Sequence, residues 1–170
     1  MKLKIIEIAI FAVLGALLFI SKIIMEILPN IHLLGALIMA YTIKYRTKAL
    51  FPIYVYVFIQ GFFSGFATWW YPYLYIWTVL WGMTMLIPKN ITSKIAIPIY
   101  MIVCSLHGFG FGILYAPAQA LFYGLNLEGT IAWIISGFPF DIIHGISNFC
   151  CGIIIVPIVK ALNIAEKSIN

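Results

Sequence analysis

Apolar residues run along this chain in long blocks, interrupted at a few polar or proline-marked points. Block by block they predict six membrane-type helices, at about residues 5–28, 32–47, 49–66, 72–87, 93–115 and 131–160. The first stops at Pro29-Asn30 and the fourth at Pro88-Lys89-Asn90. A longer break, Ala116 to Gly129, precedes the sixth and contains Pro117, Gly124, Asn126 and Glu128. The second and fourth blocks are the shortest. The fold class expected is an all-α integral membrane protein, with residues 1–170 as a single transmembrane domain. The opening MKLKIIEIAIFAVLGALLFISK has the charged start of a signal peptide. Its apolar run is long and no A-x-A site follows, so a retained first helix is expected.

The last block carries the strongest local pattern. It reads WIISGFPFDIIHGISNFCCGIIIVPIVK, and Asp141, His144 and Asn148 are its conspicuous polar members. At ~100° per residue their offsets place them within about 60° of one another on a helix. A charge at membrane depth costs at least ~2.5–3.5 kcal/mol and faces the bundle interior. The stripe is therefore a candidate lining for a binding cavity. The competing reading is that the three side chains satisfy one another and tie helices together.

Composition adds weight to the membrane assignment. The chain is 64% hydrophobic and 9% charged, against about 25% charged in soluble domains. Nothing resembles a basic nucleic-acid surface. Cys104, Cys150 and Cys151 form no CxxC pair and read as small buried residues. Of the ten basic residues, Lys2, Lys4, Lys44, Arg46, Lys48, Lys89, Lys94, Lys160 and Lys167 fall at alternate connections of a six-span chain. By the positive-inside rule both termini and those loops are cytoplasmic, in the cell membrane. Lys22 is the exception, and Glu26 at i+4 is its natural partner.

The opposite face is poor in charge and rich in rings. FATWWYPYLYIWTVLW contains Trp69, Trp70, Tyr71, Tyr73, Tyr75, Trp77 and Trp81. Interfacial anchoring accounts for some of them. The density also suits a wall or lid over a flat ligand. Asn30 and His32 stand at the same mouth, as an interfacial pair or as ligand contacts. Small residues recur at helix-packing spacing: Ala9, Ala12 and Ala16 with Gly15 in the first block, and Ser105, Gly108 and Gly112 with Gly110 opposite in the fifth. His107 lies beside the second run and reads as a satisfied interior histidine.

Catalytic signatures are few. The chain lacks a phosphate-binding GxxxxGK[ST] loop, an HExxH pair and a metal-ligand cluster, so neither cofactor nor metal is expected. Gly61-Phe-Phe-Ser64-Gly65 with His144 offers an intramembrane Ser–His hydrolase as an alternative. A membrane assembly protein without a small ligand is another. Rhomboid-type proteases use GxSG, and the spacing here departs from it.

Taken together, the features resemble the substrate-binding S component of energy-coupling-factor (ECF) transporters. The resemblance covers the whole chain in layout. Its local marks are Ala12-x-x-x-Ala16 and the final Trp133–Phe149 stretch with Asp141, His144 and Asn148. It implies a six-helix bundle that captures a vitamin or similar micronutrient with high affinity. It also implies partners, a membrane T component driven by two separate ATPases, so that the chain itself is not an enzyme. Ala12 and Ala16 would be the docking contact with the T component. The ligand site would lie in the outer half, between the last helix, the Asn30–His32 turn and the Trp69–Tyr75 loop. The rings, Asp141 and Glu26 suit a flat cationic heterocycle of the thiamine or pyridoxamine type. A neutral one, such as riboflavin or a deazapurine precursor, fits if Asp141 pairs with His144 at i+3.

Overall fold

Helix breaks set the architecture. The computed structural model describes residues 3–89 and 91–167, and these form helices and connections without a strand. Helix α1 spans Ile5–Ile24 and starts where the Lys4 backbone N–H donates to Glu7 Oε2 at 3.0 Å. After a 3₁₀ turn, Met25–Ile27, the chain reverses through Asn30, whose φ of 60° lies in the left-handed region that asparagine tolerates. Helix α2 spans Leu34–Tyr45, and a 3₁₀ turn over Arg46–Ala49 joins it to α3, Leu50–Ser64. Gly65, at φ 86°, ends α3 in a conformation that a Cβ would strain. Helix α4 follows at Tyr73–Met85.

The second half consists of longer helices. Helix α5 covers Ser93–Phe109 and α6 covers Phe111–Tyr123, nearly continuous across Gly110. Helix α7 runs Leu127–Cys151, and α8 follows at Ile155–Lys167 after a 3₁₀ turn. The Ala116–Gly129 break expected from sequence is thereby corrected. Ala116–Tyr123 is helical with Pro117 inside it, and the chain turns only at Gly124, a left-handed cap at φ 63°. Membrane helices tolerate proline where neighbours satisfy the freed backbone. Pro117 frees the Ile113 carbonyl one turn back, and beside it the Leu114 carbonyl accepts the Tyr75 hydroxyl of α4 at 2.8 Å. The final helical run likewise starts earlier and ends later than residues 131–160.

Three helical stretches are long and apolar enough to cross a membrane: Ile5–Ile27, Ser93–Tyr123 and Leu127–Lys167. Helices α2, α3 and α4, with 12, 15 and 13 residues, measure about 18–23 Å at ~1.5 Å per residue. A hydrocarbon core is about 30 Å thick. As α-helices they are shorter than the blocks that predicted them.

Two tight helix pairs flank the core. Helix α1 packs on α3, where Gly15 sits so close that a Cβ would strike Val55 and the Pro52 carbonyl. Phe11 stacks on Phe51 nearby, with ring centroids 6.0 Å apart. Helix α5 packs on α7, where Gly108 meets the Gly145 backbone and Ser105 Oγ donates to the Gly145 carbonyl at 2.9 Å. Short α2 lies between the pairs, with Leu34, Ala36, Ile38, Met39, Ala40 and Tyr41 all buried. Exposed apolar residues cover the outside. On α7, Ile131, Ile135, Phe138, Ile142, Ile146 and Phe149 form an outward stripe at helical spacing.

The two ends of the bundle differ. At one, Lys48 pairs with Glu7 and Lys44 with Glu166. There the Arg46 guanidinium caps α4 by donating to Met85 O at 2.8 Å and Ile87 O at 3.5 Å. At the other, Lys22 pairs with Glu26 at 2.8 Å beneath a collar of rings.

Candidate functional site

Asp141, His144 and Asn148 all face inward on α7, as their spacing predicted. Among the described residues, no hydrogen bond links any two of the three. Both Asp141 oxygens accept the Gly112 N–H of α6, each at 3.1 Å. A Cβ on Gly112 would strike Asp141 Oδ2, so the glycine is what lets the carboxyl reach the backbone. Asn148 Nδ2 donates to Cys104 O of α5 at 3.3 Å. The His144 ring packs edge-on against His32, centroids 4.7 Å apart, and against Phe111 at 4.9 Å.

These contacts open onto a larger cluster. Phe111 also lies 6.2 Å from the His107 ring and 5.9 Å from Trp77. Trp77 and His107 are 5.7 Å apart. His107 Nε2 lies 3.1 Å from Ile76 O. Around this group, His32 Nδ1, Trp77 Nε1, His107 Nδ1, His144 Nε2 and Asn148 Oδ1 are buried without a hydrogen-bond partner among the described residues. Each such atom costs about 1–3 kcal/mol in an apolar interior. Five side chains from the α1–α2 loop, α4, α5 and α7 thus carry unmet hydrogen-bonding capacity into one region.

His32 sits in that loop, outside the helices. Burial against the rings pulls its imidazole down to about 4, and the Lys22 ammonium pushes the same way. Asn30, half-buried at its positive φ, sets the turn that aims the loop inward.

The outer rings divide by role. Trp70 is buried and its indole N–H donates to Val57 O at 2.8 Å, tying the α3–α4 connection to α3. Trp69 is half-buried, and its carbonyl accepts Tyr115 OH at 2.9 Å. Tyr71 is exposed and lies 4.8 Å from Phe122. Tyr75 is half-buried and spends its hydroxyl on Leu114 O. Only Trp77 reaches the polar cluster. Trp81, expected at the ringed mouth, is corrected to the opposite end, where its Nε1 donates to Arg46 O at 3.0 Å. It lies eight positions beyond Tyr73 on α4, about 12 Å along the helix at ~1.5 Å per residue.

Ala12 is exposed and Ala16 half-buried on α1. Close approach to α3 falls to Gly15 between them. Ser64, the hydrolase candidate, is exposed and its Oγ accepts from Gln60 Nε2 at 2.9 Å. His144 Nε2 bonds to nothing, so that nitrogen makes no Ser–His pair. Among the described residues, no group of three or more His, Cys, Asp or Glu is arranged to hold a metal ion. Sequence reasoning passed over Phe111 and Cys104. The signal for Phe111 was present, since it follows His107 by four residues and so shares its face.

A scan of protein families and searches of curated proteins and solved structures return no match to this chain.

Proposed function

We propose that this protein is a membrane-embedded capture subunit, an ECF-type S component that binds a vitamin-like heterocycle and hands it to partner proteins for import. The observation that carries the reading is the set of buried, unpartnered polar atoms on His32, Trp77, His107, His144 and Asn148, walled by Phe111 and the other rings. Apolar walls with a few placed polar groups are the usual small-ligand site. A purely structural stripe would satisfy its own hydrogen bonds.

On this reading the six apolar blocks are six spans of one bundle in the cell membrane. The basic end is cytoplasmic, as are both termini. The three shorter helices reach full depth with the help of their 3₁₀ turns and loops. The exposed Ala12 and half-buried Ala16 leave a low-relief strip on α1 for a T component, whose two ATPases supply the energy. The chain then performs no catalysis of its own.

The test is native mass spectrometry of protein purified from rich medium, followed by release and identification of any bound molecule. A stoichiometric heterocycle is expected. Co-purification with candidate T components, with and without Ala12→Trp, tests docking, and the tryptophan is expected to abolish it. An empty protein that also fails to co-purify would shift the reading to an assembly protein.

A further inference from the structure

The unpartnered atoms differ in kind, and the difference bears on what they can hold. Trp77 Nε1 carries a hydrogen and only donates. Asn148 presents its Nδ2 to the Cys104 carbonyl, an acceptor, which leaves Oδ1 as a buried acceptor without a partner among the described residues. His107 is fixed by the same logic. Its Nε2 faces the Ile76 carbonyl, so that nitrogen donates and Nδ1 of the neutral ring is a lone-pair acceptor. His32 Nδ1 and His144 Nε2 serve as either, according to tautomer. The site therefore offers at least one fixed donor, two fixed acceptors and two adjustable groups.

The acids are accounted for elsewhere. The chain has five: Glu7, Glu26, Glu128, Asp141 and Glu166. Glu7 pairs with Lys48, Glu26 with Lys22 and Glu166 with Lys44. Asp141 turns both oxygens to the Gly112 N–H. Glu128 is exposed in the first turn of α7. Among the described residues no carboxylate is seen in contact with the rings of the cluster, Asp141 being turned to the α6 backbone, and the Trp77 N–H would oppose a cation. An anion would meet the lone pairs of His107 Nδ1 and Asn148 Oδ1, and Lys22 is already paired. Either ion would enter an apolar site without a counter-charge.

We infer that the site is built for an uncharged, planar heterocycle with both hydrogen-bond donors and acceptors on its edge, of the lactam or ring-carboxamide class. Trp77, His107, His144 and Asn148 read that edge, and Phe111 packs against the ring face. The inference rests on the capture reading and reverses the cationic ligand suggested by Asp141 and Glu26 in the sequence.

The test is calorimetry on the full chain in lipid nanodiscs with probes matched in shape and differing in charge. The neutral probes are nicotinamide, lumichrome and riboflavin, the cations thiamine and N-methylnicotinamide, and the anion nicotinate. Saturable binding is expected within the neutral set, at least about 100-fold tighter than any charged probe. Trp77→Phe keeps a ring and removes the donor, and is expected to weaken binding about tenfold or more. His107→Phe is expected to do the same, while Lys160→Met at the basic end changes it by less than about twofold. Tighter binding of a charged probe than of its neutral counterpart would overturn the inference. Absence of binding by all six would overturn it too. The molecule released in native mass spectrometry separates the two readings: a charged one leaves capture standing and removes this inference, and none removes both.

Discussion

The two ends of the bundle, one basic and one ringed, settle their polar groups in different ways. At the basic end most polar groups that bear on the fold are answered, with the buried Arg46 Nε as an exception. Arg46 caps α4, Trp81 donates to the Arg46 carbonyl, and Lys44 and Lys48 pair with Glu166 and Glu7. Below the ringed end, five buried polar atoms are left without partners. The first pattern is what stability alone produces. The second costs stability, and proteins retain such a cost where the groups have other work.

The largest effect is expected where the ringed half is held together. Gly112→Val places branched carbon where Asp141 Oδ2 now sits, and Gly145→Val drives into the Phe109 ring. Overpacking of this kind costs about 1–3 kcal/mol or more, and displacing the carboxyl adds the penalty of a buried acid without its partner. Both variants are expected to elute as aggregates in size-exclusion chromatography. Wild-type-like elution of Gly112→Val would show that Asp141 does not need its backbone donor.

The comparison is sharpest when one substitution is made at both ends. Trp81→Phe removes the donor from the Arg46 carbonyl and is expected to cost about 1–2 kcal/mol, or a few degrees in Tm. Trp77→Phe removes a donor that has no partner, and is expected to leave Tm of the ligand-free protein unchanged or higher. If Trp77→Phe destabilises as much as Trp81→Phe, its N–H is satisfied in the membrane and the cluster loses its claim to be a binding site.

That contrast marks how far the sequence alone could reach. The helical class, the inward stripe of Asp141, His144 and Asn148, and the Lys22–Glu26 pair were legible, the last two because they follow from helical spacing. Gly15 rather than Ala12 or Ala16 as the α1–α3 contact was not, because small residues mark a helix face without naming the neighbour. The continuation of α6 through Pro117 was hidden for a related reason, since the proline's tolerance depends on packing from another helix. The partnership of Asp141 with Gly112 links residues 29 positions apart, and nothing local to either announces it.

A smaller effect comes from His32. Its imidazole is held near 4 in the fold and titrates near 6.5 when unfolded. Between those values the unfolded chain binds more protons, so stability falls as pH drops from about 6.5 toward 4. Thermal unfolding in detergent is expected to show this fall, and His32→Gln to flatten part of it. The difference between the two pH profiles is the quantity to read. Coincident profiles would place His32 in water rather than against His144.

The least effect is expected at the basic end's ion pairs. Lys48 and Glu7 are both partly exposed, and a pair of this kind contributes little and is screened by salt. Lys48→Met is therefore expected to shift Tm by no more than a degree or two in low salt and by nothing measurable in high salt. Ligand affinity should not move, because the pair ties α1 to the α2–α3 turn far from the ring cluster. A loss of affinity on breaking this pair would mean that the two ends are mechanically coupled, and that the answered polar groups of one help to hold open the unanswered ones of the other.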